Sequence, residues 1–456
     1  MNYFAKNASI EPTPMALELS LPKSAMTADT CVPTRLEGWL RDRLIRRLVN
    51  LRHGSVVMME AKGEEILLGR QPVEGGTESN LTADVLVNRS RFFSRVMLGG
   101  TMGAAESYID GDWRSENLTD LIRVMIRNLN QLTPLEKYWG RWKGIWNWRQ
   151  HLSRHNSVDG SRKNIHEHYD LGNHFYQLFL DSTMNYSSAI FQREDLAAGQ
   201  QRYDRETLRE ASVRKMDRIC EKLQLRPTDH VLEIGTGWGG LALQMAARHG
   251  CRVTTTTISE QQFRFATERI RAAGLSDRVT VVQRDYRELE GTYDKLVSIE
   301  MIEAVGHQYY DCFFEKCQQL LKPQGLMLLQ AITMSEQNYQ YHIRHVDFIR
   351  RYIFPGGCLP AISALQSSIA KKTDWRMLHQ EDITPHYVHT LACWRAEFLS
   401  RLKDVRSQGY SEKFIRLWHF YLCYCEAAFA ERRVHNLQLV YCRPDCPVDP
   451  AIDYCF

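Results

Sequence analysis

The sequence predicts an α/β protein built on a doubly wound parallel sheet. From about residue 205 onward, apolar strand candidates alternate with segments of helical periodicity, and strands separated by helices usually pair in parallel with both faces covered. An apolar strand beginning at residue 230 runs into a glycine turn that opens a helix, which is typical of a Rossmann-like sheet. Of the 456 residues, 44% are hydrophobic, which excludes a mainly disordered chain.

The remainder of the chain divides into parts of different composition. Residues 1–35 carry Pro, Ser, Thr and Ala with little periodicity and are predicted to form a disordered tail. Residues 36–120 combine helical spacing with short strands, so we expect a small N-terminal α+β domain. A helical linker is predicted over 121–204 and the sheet domain over 205–445, with an insertion at about 335–425 and a tail at 446–456.

Charge and tryptophan are distributed unevenly. The 58 Lys and Arg against 54 Asp and Glu leave a net charge of only +4, so we expect no nucleic-acid partner. Basic residues within 137–154 alternate with four tryptophans, which are Trp139, Trp142, Trp146 and Trp148. This mixture suits a membrane–water boundary, but a linker helix whose tryptophans pack on a neighbouring domain is an equal alternative. The sequence has no run of 18 apolar residues, so we predict no transmembrane helix.

The cysteines predict neither a metal site nor a disulfide framework. The chain has 12 cysteines, with no CxxC pair and no Cys/His cluster at zinc spacing. The first 35 residues lack a basic start followed by an apolar run, so we predict no secretory signal. Scattered cysteines of this kind fit a reducing cytoplasm, where most would be buried as small apolar side chains.

The glycine turn predicts a nucleoside-binding site, with glycines at Gly235, Gly237 and Gly239. Three details disfavour a dinucleotide. Glu233 lies within the first strand, the second strand ends in Thr-Ile-Ser without the acidic residue that binds a ribose, and Asp285 follows the third strand. Asp285 could accept a hydrogen bond from the amine of adenine. These features favour a nucleoside with a short charged tail, such as S-adenosylmethionine, with another nucleotide as the alternative.

Several motifs are far more specific than the glycine turn. They are HYDLGN at 168–173, NYSSA at 185–189, TISEQQ at 257–262, SIEMIEAVG at 298–306, YIFPGGCLP at 352–360 and GAAESYIDGDW at 103–113. With these motifs the chain resembles the cyclopropane-fatty-acyl-phospholipid synthases and related lipid C-methyltransferases over roughly 36–445. The resemblance implies a methyltransferase sheet, a cofactor-covering segment before it, and an insertion that covers the acyl chain.

The resemblance also implies roles for individual residues. The cofactor-binding residues would be Tyr186, Ser187, Glu233, Gly235, Gly237, Gly239, Thr257, Ser259, Gln262, Arg284, Asp285 and Tyr286. The family holds a bicarbonate ion near the transferred methyl group, in a cage that matches Glu303, the main-chain amide of Ile332, and Tyr387. Ser188 and Gln330 stand where the family has Cys and His. The Ser188 amide can replace that of Cys, whereas Gln330 can donate a hydrogen bond but cannot carry a proton.

The expected chemistry requires side chains that stabilise a positive charge. Attack of an alkene on the methyl group of a sulfonium leaves a positive charge on carbon, which an aromatic face and a carboxylate can stabilise. Tyr387 and Glu303 are the candidates for this role, with Tyr309 and Phe354 as weaker ones. Glu300 is interpreted as only bracing its loop. Apolar side chains at Phe348, Ile349, Phe354 and Leu359 are expected to line the acyl pocket.

The function implied is transfer of a methylene or methyl group from S-adenosylmethionine to the double bond of an unsaturated acyl chain, which we expect to belong to a membrane phospholipid. The alternatives are a C-methyltransferase that gives a branched methyl alkene without ring closure, a small-molecule N-methyltransferase, and a non-catalytic lipid-binding protein. We expect a cytoplasmic protein peripherally associated with the inner face of the membrane, docked through the N-terminal domain and the Trp-rich segment. The sequence leaves open whether the protein forms a homodimer.

Overall fold

A computed structural model describes residues 34–60, 65–69, 81–132, 171–198 and 203–447. The strands are β1 (Ser55–Glu60), β2 (Glu65–Gly69), β3 (Thr82–Val87), β4 (Trp113–Arg114), β5 (His230–Ile234), β6 (Arg252–Thr257), β7 (Val279–Gln283), β8 (Tyr293–Ile299), β9 (Leu321–Met334), β10 (Arg376–Asp382) and β11 (Val434–Cys442). The Trp-rich segment at 137–154, the predicted tail at 1–33 and the first three residues of HYDLGN lie outside the described residues.

The helices of the N-terminal half are α1 (Arg35–Leu48), α2 (Arg91–Ile109), α3 (Leu118–Arg127), α4 (Leu129–Leu132), α5 (Asn173–Tyr176), α6 (Arg193–Ala198) and α7 (Arg205–Lys222). Those of the C-terminal half are α8 (Gly240–His249), α9 (Glu260–Ala272), α10 (Ile302–Val305), α11 (Tyr310–Leu320), α12 (Glu336–Arg344), α13 (Phe348–Tyr352), α14 (Ile362–Lys372), α15 (Thr384–Ser400), α16 (Leu402–Ser407) and α17 (Glu412–Ala430). None of the described helices is long and apolar enough to cross a membrane.

The N-terminal part folds as a small α+β unit. Its four strands have the order β2-β1-β3-β4, with β1 parallel to β3 and antiparallel to β2. Alternating burial along β3 indicates that one face of this sheet packs inward. The helix α1 starts at a capping box in which Thr34 and Glu37 satisfy each other's main-chain amides. The helix α3 runs across the domain boundary predicted at residues 120 and 121.

The large sheet has seven strands in the order β10-β11-β9-β8-β5-β6-β7. Strands β5 to β9 pair in parallel, as the alternation of helix and strand predicted. Leu232 and Leu296 belong to one hydrophobic core, whereas their chain neighbours Val231 and Val297 belong to another, because successive side chains point to opposite faces of a sheet. The α/β fold with a doubly wound, Rossmann-like sheet is therefore confirmed.

One edge of this sheet is antiparallel. Strand β11 pairs antiparallel with both β9 and β10, and β10 comes from within the predicted insertion at 335–425. That insertion is therefore not wholly a helical cover, since part of it extends the sheet. Its helices α15 and α17 pack on each other.

The chain reverses its winding direction beside β5. Strand β6 lies on one side of β5, and β8 lies on the other. In open α/β sheets, ligands bind at such a switch point, at the carboxyl ends of the strands. The ends of β5, β6 and β8 carry the glycine turn, Thr257 and Glu300 respectively, so the motif residues are brought to one edge.

Candidate active site

The glycine turn connects β5 to α8 and exposes main chain to an open space. Gly235, Gly237 and Gly239 all have positive φ, at 108°, 52° and 81°, where residues with a side chain are strained. A Cβ atom added to Gly237 would meet nothing within 4 Å. The main-chain amides of Gly235 and Thr236 both donate to the Thr256 carbonyl at 3.0 Å. The turn is thus fixed from β6 while its outer side has room for a ligand.

Glu233 lies beneath this turn, with its carboxyl group turned inward. It accepts a 2.6 Å hydrogen bond from the Thr255 hydroxyl, which also lies 2.7 Å from the Thr236 hydroxyl. Burial raises the pKa of Glu233 to about 8. In this position Glu233 supports the loop through two threonines.

The end of β6 forms a compact polar cluster from the TISEQQ motif. The Thr257 hydroxyl donates to the Gln262 side-chain oxygen at 2.9 Å. Ser259 caps α9 by accepting from the Gln262 amide at 3.3 Å. All three side chains are buried. The structure therefore brings these three predicted cofactor residues together beside the glycine turn.

After β7, Asp285 is already engaged by an arginine that the sequence analysis did not single out. Its carboxylate accepts from the Arg287 guanidinium at 2.7 Å on each oxygen and from the Arg287 amide at 3.0 Å. Asp285 thereby caps a short 3₁₀ turn. Tyr286 is buried against Phe313. The side chain of Arg284 is exposed, and its carbonyl accepts from the Thr256 hydroxyl.

The segment containing NYSSA lies over the sheet edge and joins it to α17. The hydroxyls of Tyr186 and Tyr421 are hydrogen-bonded at 2.8 Å. Ser187 accepts from the ammonium of Lys215 at 2.8 Å. Lys215 is almost fully buried, and its burial lowers the pKa of the ammonium to about 8. A buried cation is therefore placed beside a predicted cofactor residue.

Glu303 lies on α10, just after β8, in contact with the main chain of β9. One carboxyl oxygen accepts from the Ile332 amide, so two groups that the resemblance assigns to the bicarbonate cage bind each other here. The other oxygen is buried and has no hydrogen-bond partner among the described residues. Burial, followed by the neighbouring Glu300, raises the pKa of Glu303 to about 8, so this carboxyl group is largely protonated at neutral pH.

Glu300 occupies the centre of the remaining donors. Its Oε1 accepts from the Ser188 amide at 3.0 Å and from the Gln330 side chain at 2.7 Å, and also from the Asn436 side chain. Its Oε2 accepts from the Tyr387 hydroxyl at 2.9 Å. The interpretation of Glu300 as only a loop brace is wrong, because its side chain points into the site and collects four donors there.

Tyr387 connects Glu300 to a group of aromatic side chains. The ring of Tyr387 stacks on Phe429 with centroids 4.5 Å apart, and Phe354 lies 6.1 Å from Tyr421. Burial, followed by Glu300, raises the pKa of Tyr387 well above its usual value, so its hydroxyl remains a donor. The predicted acyl-pocket residues belong to the same hydrophobic cluster as Tyr387; they are Phe348, Ile349, Phe354 and Leu359.

Sequence reasoning missed several residues of the site. Lys215 and Gln438 are buried polar residues on a helix and a strand, Asn436 lies at the start of β11, and Arg287 follows Asp285. Polar residues at the inward positions of predicted apolar segments were the available signal. Glu300 had a signal too, because SIEMIEAVG carries two carboxylates three residues apart.

Comparison with known proteins agrees with this geometry. The sequence model of the family Mycolic acid cyclopropane synthetase matches residues 156–439. The Mycobacterium tuberculosis tuberculostearic acid methyltransferase UfaA1 is 39% identical over 341 residues, 74% of this chain and 77% of its own length. The Escherichia coli cyclopropane-fatty-acyl-phospholipid synthase is 35% identical over 364 residues, 79% of this chain and 88% of its own.

A solved structure supports the same assignment. The mycolic acid cyclopropane synthase CmaA1, complexed with SAH and CTAB, superposes with a TM-score of 0.56 at 28% identity, covering 62% of this chain and 98% of CmaA1. The glycine turn, the motif cluster at the sheet edge and these likenesses lead to one assignment. The chain belongs to the mycolic acid cyclopropane synthetase family and is an S-adenosylmethionine-dependent methyltransferase.

Proposed function

We propose that this enzyme transfers a methylene or methyl group from S-adenosylmethionine to the double bond of an unsaturated fatty acyl chain in a membrane phospholipid. One observation carries the proposal. Two carboxyl groups, those of Glu300 and Glu303, lie just after β8 next to the glycine turn, and Glu300 is hydrogen-bonded to Tyr387, which belongs to a hydrophobic cluster rich in aromatic side chains. Such a site suits a substrate that is apolar around its reacting atoms and becomes positively charged during the reaction.

The chemistry explains why these groups are needed. An alkene is a weak nucleophile, so the site must align it with the methyl group and exclude water. The carbocation that follows is stabilised by a nearby negative charge and by aromatic faces. Glu300 and the ring of Tyr387 provide both, and Glu303, protonated at neutral pH, adds no second charge.

The identity of the product divides this proposal into two. Loss of a proton from the transferred methyl group closes a cyclopropane ring, and loss from a neighbouring carbon gives a branched methyl alkene. One observation favours the second product, because Gln330 cannot carry a proton at the position where the resemblance has a histidine. This observation raises the branched alkene as an alternative product, and we still rank ring closure first.

A membrane-bound substrate requires a surface that meets lipid, and we place this surface on α1. Leu36 and Trp39 on this helix and Val49 at its C-cap are apolar and exposed, by 61%, 54% and 47%. Arg43 lies over the Trp39 ring, and Arg46 and Arg47 occupy the last turn. Exposed tryptophan and leucine beside arginines are typical of a helix that lies at the surface of an anionic bilayer.

The test is incubation of the purified protein with methyl-labelled S-adenosylmethionine and vesicles of unsaturated phospholipid. We expect label in the lipid, and none when the acyl chains are saturated. Mass spectrometry with and without catalytic hydrogenation separates the products, since hydrogenation adds hydrogen to a methyl alkene but leaves a mildly treated cyclopropane unchanged. Cofactor binding without any labelled lipid would contradict the proposal, and labelling of a soluble amine instead would indicate an N-methyltransferase.

A further inference from the structure

The donors that the resemblance assigns to a bicarbonate ion are already used by side chains of this protein. The Ser188 amide, the Gln330 side chain and the Tyr387 hydroxyl all donate to Glu300. The Ile332 amide donates to Glu303. A bicarbonate ion placed among these groups would find its donors engaged and would lie against a carboxylate, which repels an anion. The site therefore does not fit bicarbonate.

The backbone at Glu300 is bent so that the side chain can enter the site. Its φ is 49°, a left-handed conformation that residues with a side chain adopt uncommonly and that concentrates at functional sites. The Glu300 amide donates to the Gln330 carbonyl at 2.8 Å, which fixes the bend against β9. A residue that only braced a loop would not need this conformation, because glycine would adopt it at lower cost.

A chain of buried amides orients the Gln330 donor toward Glu300. The Gln330 side-chain oxygen accepts from Gln438 at 3.0 Å. The Gln438 oxygen in turn accepts from the ammonium of Lys222 at 2.6 Å. Because a lysine ammonium can only donate, the direction of every hydrogen bond in this chain is set from Lys222 outward. The Gln330 amino group is thereby left facing Glu300, and glutamine is suited to this position since it both accepts and donates.

We propose that the Glu300 carboxylate takes the place of bicarbonate, as the fixed negative charge and the proton acceptor of the reaction. This inference rests on the proposed function. The alkene electron pair forms a bond to the methyl carbon while the carbon–sulfur bond breaks and leaves its pair on sulfur. A carboxylate oxygen of Glu300 then takes a proton from the cation, and the released C–H pair closes the ring or forms the new double bond.

The geometry leaves one oxygen of Glu300 able to act. Among the described residues, Oε1 accepts three hydrogen bonds, whereas Oε2 accepts only that of Tyr387. Each oxygen of an ionised carboxylate has about two acceptor positions, and Tyr387 occupies one of those on Oε2, so the other can take a departing proton. The proton on a carbon next to a cationic centre is strongly acidic, and a well-placed carboxylate is a sufficient base for it.

The test compares labelled methyl transfer in carbonate-free buffer with transfer after addition of sodium bicarbonate. We expect the wild-type rate to be the same in both. Glu300→Gly removes the carboxylate and vacates its space, so we expect its rate in carbonate-free buffer to fall by about 100-fold or more and to recover in part with bicarbonate. Glu300→Gln keeps the space filled without the charge, so it should be slow with and without bicarbonate.

A second measurement does not depend on activity. In carbon-13 NMR with labelled bicarbonate, we expect line broadening with Glu300→Gly and none with the wild type. Glu268→Gln, at an exposed position on α9, is the matched control and should behave as the wild type in both assays. Stimulation or broadening of the wild type by bicarbonate would overturn the inference. Absence of transfer to any lipid would overturn the proposed function instead, and the NMR result would still decide the question of the ion.

Discussion

The cofactor side and the reaction side of this active site are built in different ways. On the cofactor side, the glycine turn and the TISEQQ cluster lie within residues 230–262, where main-chain bonds hold the turn and side-chain bonds between near neighbours hold the cluster. On the reaction side, the groups around Glu300 come from positions 188, 330, 387 and 436, which are far apart in the chain. The first region is built from residues close in the sequence, and the second brings together distant side chains.

This difference predicts that the two sides fail separately. Changes on the reaction side should lower the rate of the chemical step while S-adenosylmethionine still binds. Changes on the cofactor side should weaken binding while the bound enzyme still turns over.

The most severe effect is expected from Tyr387→Phe. This change removes the donor to Glu300 Oε2 and leaves the ring stacked on Phe429. We expect kcat to fall by about 100-fold, as when one donor to a reacting group is lost, with the dissociation constant of S-adenosylmethionine unchanged. Steady-state kinetics and calorimetry measure the two quantities. An equal loss of cofactor affinity would show that the reaction side and the cofactor side are not independent.

Glu303→Gln should alter how stability depends on pH. The folded pKa of Glu303, about 8, lies above its usual value, so between about pH 4.5 and 8 the folded protein binds one proton more than the unfolded chain. Stability from this group is therefore lost as pH rises through that window. We expect the wild type to lose about 3–4 kcal/mol relative to Glu303→Gln between pH 5 and 8, since one pKa unit is equivalent to about 1.4 kcal/mol.

Chemical denaturation of both proteins across this pH range measures the difference. The other buried acids, including Glu233, are common to the two proteins and cancel. A constant difference at all pH values would show that the pKa of Glu303 is not raised in the folded protein.

Gly237→Ala tests the cofactor side. The added methyl group would enter the open space beside the turn, at a φ of 52°, so we expect about tenfold weaker S-adenosylmethionine binding, equivalent to about 1.4 kcal/mol. At saturating cofactor, kcat should stay close to that of the wild type. A large fall in kcat with unchanged affinity would mean that the turn also positions the reacting methyl group.

The smallest effect is expected at the surface. Trp39→Ala should weaken co-sedimentation with anionic vesicles a few-fold, by up to about 1 kcal/mol, because one partly exposed indole contributes only part of the contact. Activity on a detergent-dispersed substrate should not change. Lys371→Ala, at an exposed position on α14, is the control, and an equal loss in both variants would remove α1 from the proposed docking surface.

The parts of the molecule that follow local rules were predictable from sequence. The alternation of strands and helices predicted the sheet, and the glycine turn predicted the nucleoside site, because these patterns act over short distances. The antiparallel edge was missed, since β10 lies inside a segment that reads as helical. Pairing of β10 with β11 joins residues about 60 apart, which no local pattern reports.

The reaction side shows more clearly what could not be predicted from the sequence. Glu303, Ile332 and Tyr387 were singled out only because the sequence resembles a known family, and the resemblance did not predict that the Ile332 amide donates to Glu303 itself. The role of Glu300 depends on its left-handed backbone and on donors from four other segments. Asp285 was predicted to face adenine, and its ion pair with Arg287 arises from a turn that the sequence pattern did not reveal.

The helix α17 is shared by both folded units. One of its residues, His419, is hydrogen-bonded to Tyr108 of the N-terminal unit, and Glu426 accepts from Thr119. Another, Tyr421, reaches Tyr186 above the sheet, and all of these elements contribute to one hydrophobic cluster. A truncation that removes the N-terminal unit would therefore strip one side of a catalytic-domain helix, and thermal unfolding of the intact chain should proceed as one cooperative transition.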